Sequence, residues 1–136
     1  MPDIVITPTS VVAGADASID FGVAGATITA GQVVYLETAT NKLKLADNNS
    51  TDIEVRTVRG IALNGAANDQ PLGVIRSGSV VIGSTILANV AYYLSDTPGG
   101  ICEVADLAAG EYPTLIGFGR TTTELDVHLY SAFGAL

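Results

Sequence analysis

The chain has 136 residues, the length of a single domain that buries about two thirds of its unfolded surface in one core. Six Lys and Arg against fourteen Asp and Glu leave a net charge of −8, which argues against a surface built to bind phosphate by counterion release, and so against direct nucleic-acid binding. Hydrophobic residues make up 48% and charged ones only 15%, too little charge to cover a monomer, so part of the surface is expected to lie against a partner.

The opening MPDIVITPTS has neither a basic n-region nor a long apolar stretch, so no signal peptide and no export are expected. Apolar runs along the chain are broken by Gly, Thr, Ser or Asp and fall short of the roughly eighteen residues of a membrane span, so no membrane partner is expected either. Fifteen glycines punctuate segments rich in Val, Ile, Thr and Tyr, the pattern of many short strands. The expected fold class is all-β, a small sandwich or barrel-like domain. Asp3–Thr7 is the first expected strand; Pro8 breaks it and Val11–Gly14 resumes an apolar course. Residues 1–14 therefore read either as an arm that adds a strand to another chain's sheet or as an edge strand of their own domain, with 15–136 forming that domain.

Strands are then expected at Ala17–Val23, Gln32–Thr38, Lys42–Ala46, Val58–Leu63, Leu72–Ser77, Val80–Ile82, Ala91–Leu94, Ile101–Val104, Leu115–Arg120 and Glu124–Ser131. The turn-forming Ala39–Asn41 makes a hairpin of the second and third of these, with Leu43 and Leu45 alternating against Lys42 and Lys44. Ala105–Ala109 suggests one helical turn, stopped by Gly110. In the last strand Leu125, Val127 and Leu129 alternate with Asp126, His128 and Tyr130, so one face is buried and the other exposed.

An internal repeat is the strongest organisational signal. Gly25–Leu36 resembles Gly83–Leu94 at an offset of 58 residues, and each copy continues through a turn, a second strand ending in Ala-Asp, and then Arg59–Ala62 or Ile116–Gly119. Two similar β-units, about 25–62 and 83–119, are expected to pack together because neither could bury its apolar face alone.

Chemistry is sparse. One histidine, one cysteine and no Gly-x-Ser-x-Gly elbow leave no nucleophile beside a base, so no catalytic residue is expected. His128 reads as solvated on a polar strand face and Cys102 as a half-buried structural thiol; neither can anchor a transition metal without further His or Cys ligands. Asp47–Asp52 gathers oxygen ligands but lacks the Gly and Glu of an EF-hand loop, and reads as an exposed turn; no metal or cofactor is assigned. Gly60–Gly65 has the glycines of a phosphate loop, but Ala66 and Ala67 stand where Lys and Ser or Thr are needed. Gly60 instead permits close backbone approach in a strand, and Asn64–Gly65 forms the turn after it.

In order along the chain, Ala30–Tyr35, Arg59–Ala66, Gln70–Val74 and Tyr92–Gly100 resemble the capsid decoration proteins of tailed bacteriophages, the small β-rich cement or head-stabilising proteins encoded near the major capsid protein. The resemblance runs from about Val12 to Leu129, and the order of the motifs carries more weight than any one of them. It implies a virion protein made in the host cytoplasm that binds the outside of an expanded head, often as a trimer, and clamps neighbouring copies of the major capsid protein against internal DNA pressure. It supplies no catalytic residue, and the two-unit repeat departs from it. Expected contact residues are Ile4, Val5, Ile6, Val11 and Val12 in the arm, with Tyr130, Phe133 and Leu136 at the C-terminus. The alternative is a head-fibre or receptor-binding module presenting Asn48–Asp52 or Thr121–Thr123 to a host glycan.

Overall fold

The computed structural model describes residues 3–131 and 134–136. The described residues form ten strands and one short α-helix, besides 3-10 turns: β1 (Val11–Ala13), β2 (Ser18–Val23), β3 (Val33–Glu37), β4 (Lys42–Leu45), α1 (Ile53–Arg56), β5 (Gly60–Ala62), β6 (Pro71–Ile82), β7 (Ala91–Leu94), β8 (Ile101–Glu103), β9 (Leu115–Gly119) and β10 (Glu124–Tyr130). The fold is all-β, an antiparallel sheet curled into a barrel-like domain, in the order β4-β3-β5-β6-β10-β9-β7-β8, with β1 and β2 also paired to β6.

The 12-residue β6 is the spine. On one side it pairs with β1 at Val80–Ile82 and with β2 at Pro71–Ser77; on the other it pairs with β10 at Ser77–Val81 and with β5 at Val74 and Ile75. Two separate strands, Leu72–Ser77 and Val80–Ile82, are expected from sequence. The chain instead runs through Gly78, whose φ of +92° lets one continuous strand kink where a side chain would be strained.

The two repeat units have the same pairing. Val34↔Leu45, Tyr35↔Lys44 and Leu36↔Leu43 join β3 to β4, and Tyr92↔Glu103, Tyr93↔Cys102 and Leu94↔Ile101 join β7 to β8. The third strand of each unit lies on the far side of the first, through Val34↔Gly60 and Tyr92↔Gly117. Outward from the β6–β10 pair, each half of the sheet therefore repeats the same succession: β5, β3, β4 on one side and β9, β7, β8 on the other.

Two cores result. Val33, Ile61 and Ile75 of the first half pack with Tyr92, Leu94, Ile116, Leu125 and Val127 of the second in the main core between the halves. In the first half, β2 also reaches β4 through the Ala24–Leu43 bridge, where the Gly25 N–H donates to the Leu43 carbonyl at 2.7 Å. This closes a small barrel filled by Ala24, Ile28, Val34, Leu43, Leu72 and Val74. The expected alternation in β10 holds for Leu125 and Val127, which are buried.

Three local expectations need correction, and one helix was not expected. Asp3–Thr7 forms no strand: its backbone ties are Ile4 N–H to the Ile101 carbonyl and Thr7 N–H to the Gly83 carbonyl, the Ser95 hydroxyl donates to the Asp3 carboxylate, and Pro8 starts a short 3-10 turn. Such spaced anchors hold the chain without a continuous ladder. The helical turn expected at Ala105–Ala109 is a 3-10 turn at Val104–Asp106. Helix α1 was not legible: its four residues are too few for a periodic signal, and its N-cap is Asp52, whose carboxylate accepts from the Glu54 N–H at 3.0 Å. Finally, Asn48 lies fully buried in what reads locally as an exposed turn. Its amide donates to the Leu94 carbonyl at 2.8 Å and to Glu111 Oε1 at 3.0 Å, so the loop between β4 and β5 clasps the second half.

Candidate functional site

A cleft of about 770 Å³ opens where the sheet forks. Because β6 leaves β10 after Ser77 and takes up β5 at Ile75, the two halves part at Arg76. Two bulges sharpen the fork. Ser18 pairs with Ser77 and Ile19 with Ile75, so Arg76 is an extra residue on β6; Val127 pairs with Gly117 and Tyr130 with Leu115, so His128 and Leu129 face the single Ile116 of β9. Bulged residues are re-aimed out of the ladder, and Arg76, His128 and Leu129 all line this cleft. Its apolar surface includes Leu115 and Leu129, with Val58 and Val127 buried beneath, and Ser18, Ser77 and Ser131 contribute hydroxyls.

Charge in and beside the cleft is sparse and specific. Arg59 donates to Asp20 Oδ2 at 3.0 Å, and Arg76 lies 3.7 Å from the same oxygen, past hydrogen-bond range. A second groove of about 380 Å³ shares Val58 and Arg76 with the cleft and ends at Thr38 and Glu54. There the Glu54 carboxylate is already committed, accepting from the Thr38 hydroxyl at 2.7 Å and the Thr38 N–H at 3.1 Å. His128 is exposed, 3.2 Å from Asp126 Oδ2 and edge-on to Phe118 with ring centroids 6.2 Å apart.

A second feature is an apolar stripe on β2. Asp20 and Gly22 turn toward the mouth of the small barrel, with Asp20 held by Arg59 and Gly22 against Leu43. The alternation of the strand therefore sends Ile19, Phe21 and Val23 outward, and Phe21 is 82% exposed. Sequence reasoning placed the strand but missed this face, because an apolar set at period two ordinarily marks the buried side. Arg76 had no sequence signal at all, since a bulge arises from pairing and not from local composition.

The expected contact residues divide. Ile4, Ile6 and Val11 pack on the chain's own main core, whereas Val5, Val12, Tyr130 and Leu136 are exposed. Phe133 lies outside the described residues. Val11 is buried, and Ile4 and Ile6 are partly buried against the core, so much of their apolar surface is already covered by their own domain. Residues 3–13 are anchored along their own domain by the two hydrogen bonds above and by the pairing of β1 with β6.

The remaining candidates have structural partners. Cys102 is buried, and burial first, then the nearby carboxylates of Asp3, Asp106 and Glu111, push its thiol up to about 12, so thiolate is scarce at neutral pH. In the Asp47–Asp52 loop, Asn48 and Asp52 are engaged as described, and among the described residues no group of three or more His, Cys, Asp or Glu side chains could hold a metal ion. Thr121 Oγ1 accepts from the N–H groups of Thr123 and Glu124, so the Thr121–Thr123 turn is braced from within. No helix among the described residues is long and apolar enough to cross a membrane. In comparison with known proteins, no family model and no curated protein matches this chain.

Proposed function

We propose that the chain is a structural protein of a phage particle that binds the outer surface of the capsid and stabilises the head, as a homo-oligomer, with a trimer favoured. The observation that carries this reading is the outward stripe of Ile19, Phe21 and Val23 on a strand paired along one side to β6 and, among the described residues, bridged on the other only at Ala24. An apolar, incompletely paired strand is a template for strand addition, in which main-chain hydrogen bonds supply affinity and alternate side chains supply register. The ordered resemblance to decoration proteins, the acidic balance and the charge-poor composition support the same reading.

Magnitudes favour many weak contacts over one strong one. A patch of ~300 Å² at ~25 cal/mol per Å² gives about 7 kcal/mol gross, within the range of the association cost itself, so useful affinity comes from many copies engaging one shell. The test is to add the protein to expanded heads that lack it and follow binding and head melting. Wild type is expected to bind and raise the melting temperature of the heads, and Phe21→Asp to lose both while keeping its own circular dichroism spectrum. A protein that ignores heads, or a Phe21→Asp variant that binds them unchanged, overturns the proposal.

A further inference from the structure

We propose that the cleft at the sheet fork is a binding site for a saccharide carrying a carboxylate, separate from the β2 stripe. Its volume of about 770 Å³ falls in the range of small-ligand sites, roughly 300–1,000 Å³. Its lining matches such a ligand part by part. Leu115 and Leu129, both partly exposed, offer an aliphatic surface to the C–H face of a pyranose. Ser18, Ser77 and Ser131 carry hydroxyls that can both donate and accept, as sugar hydroxyls require. Tyr130, 66% exposed at the rim, presents an aromatic face with a polar tip.

Arg76 selects the charge. Its guanidinium is a planar fork suited to a carboxylate. Asp20 forms an ion pair with it at 3.7 Å, beyond hydrogen-bond distance, and already accepts from Arg59 at 3.0 Å, which leaves Arg76 N–H donors for a ligand. The bulges give the site a reason to be where it is, because Arg76 is the extra residue opposite β2, and His128 and Leu129 share one partner on β9, which brings them to one cleft while Leu125 and Val127 stay in the core. A neutral sugar offers the guanidinium no anionic hydrogen-bond acceptor, and an acidic peptide side chain meets Arg76 but not the three serine hydroxyls.

The test is amide chemical-shift titration of the isotope-labelled protein with trigalacturonate and with 3′-sialyllactose, alongside lactose, acetate and a Val–Glu alternating hexapeptide. Saturable shifts confined to Arg76, Ser77 and His128–Ser131 are expected with at least one of the two carboxylated saccharides, with lactose at least about tenfold weaker. Arg76→Lys, which loses the bidentate fork, is expected to weaken binding about tenfold, and Phe21→Ser to leave it unchanged. Shifts reproduced by acetate alone, tighter binding of the peptide, silence with both saccharides, or an Arg76→Lys variant that binds like wild type would each overturn the assignment.

Discussion

A methyl group on Gly117 would come within 2.1 Å of the Asp126 carbonyl oxygen, and one on Gly60 within 2.5 Å of the Ile75 carbonyl oxygen. These two glycines hold matching places in the two repeat units, each opposite the first strand of its unit and pressed against backbone that cannot swing aside. Gly117→Ala and Gly60→Ala are each expected to cost about 3 kcal/mol, at the upper end of ordinary point substitutions, read as a drop in melting temperature of about 10 °C. That Gly60 permits close approach is legible in the sequence, whereas the identity of the approaching carbonyl is not. Asp16 shows a pH effect at the same scale. Its carboxylate accepts from the Ser79 hydroxyl at 2.6 Å and the Ser79 N–H at 3.0 Å, and these bonds hold its pKa below the ordinary 3.8. A group whose pKa is depressed by folding stabilises above its unfolded value and loses that contribution as pH falls through its folded one. Urea denaturation from pH 7 to pH 2 is therefore expected to show a smaller acid loss, below about pH 4, in Asp16→Ala than in wild type.

Between elements, the β4–β5 loop is tied down at three points: Asn48 inserts into the second half, Asp52 caps α1, and Arg56 stacks on Tyr112 with its guanidinium carbon 3.4 Å from the ring centroid. The points are unequal. Losing the cap in Asp52→Ala is expected to cost about 1 kcal/mol. Asn48→Ala strands the Leu94 carbonyl and the Glu111 carboxylate and is expected to cost about 3 kcal/mol, because buried partners left unpaired carry their full desolvation penalty. Equal destabilisation of the two variants in urea would show that the loop does not clasp the second half. The loop reads as an exposed turn because Asn and Asp favour turns locally, and no window of sequence can see a partner such as Glu111, 63 residues away.

For the molecule as a whole, the N-terminal segment belongs to stability before it belongs to any interface. Removing residues 1–12 takes Ile4, Ile6 and Val11 from the main core, so this truncation is expected to lower the melting temperature of the isolated protein. Val5→Ser and Val12→Ser, at exposed positions, are expected to change stability by less than about 0.5 kcal/mol and so report on contact alone.

The all-β class, the β3–β4 hairpin and the buried face of β10 could be read directly from residue order, because each rests on period-two alternation and turn residues that act over a few positions. The outward turn of Ile19, Phe21 and Val23, the commitment of Ile4 and Ile6 to the core, and the cleft at Arg76 could not. Which face of a strand meets solvent, and where a strand changes partners, depend on segments far apart in the chain, and local periodicity carries no record of them.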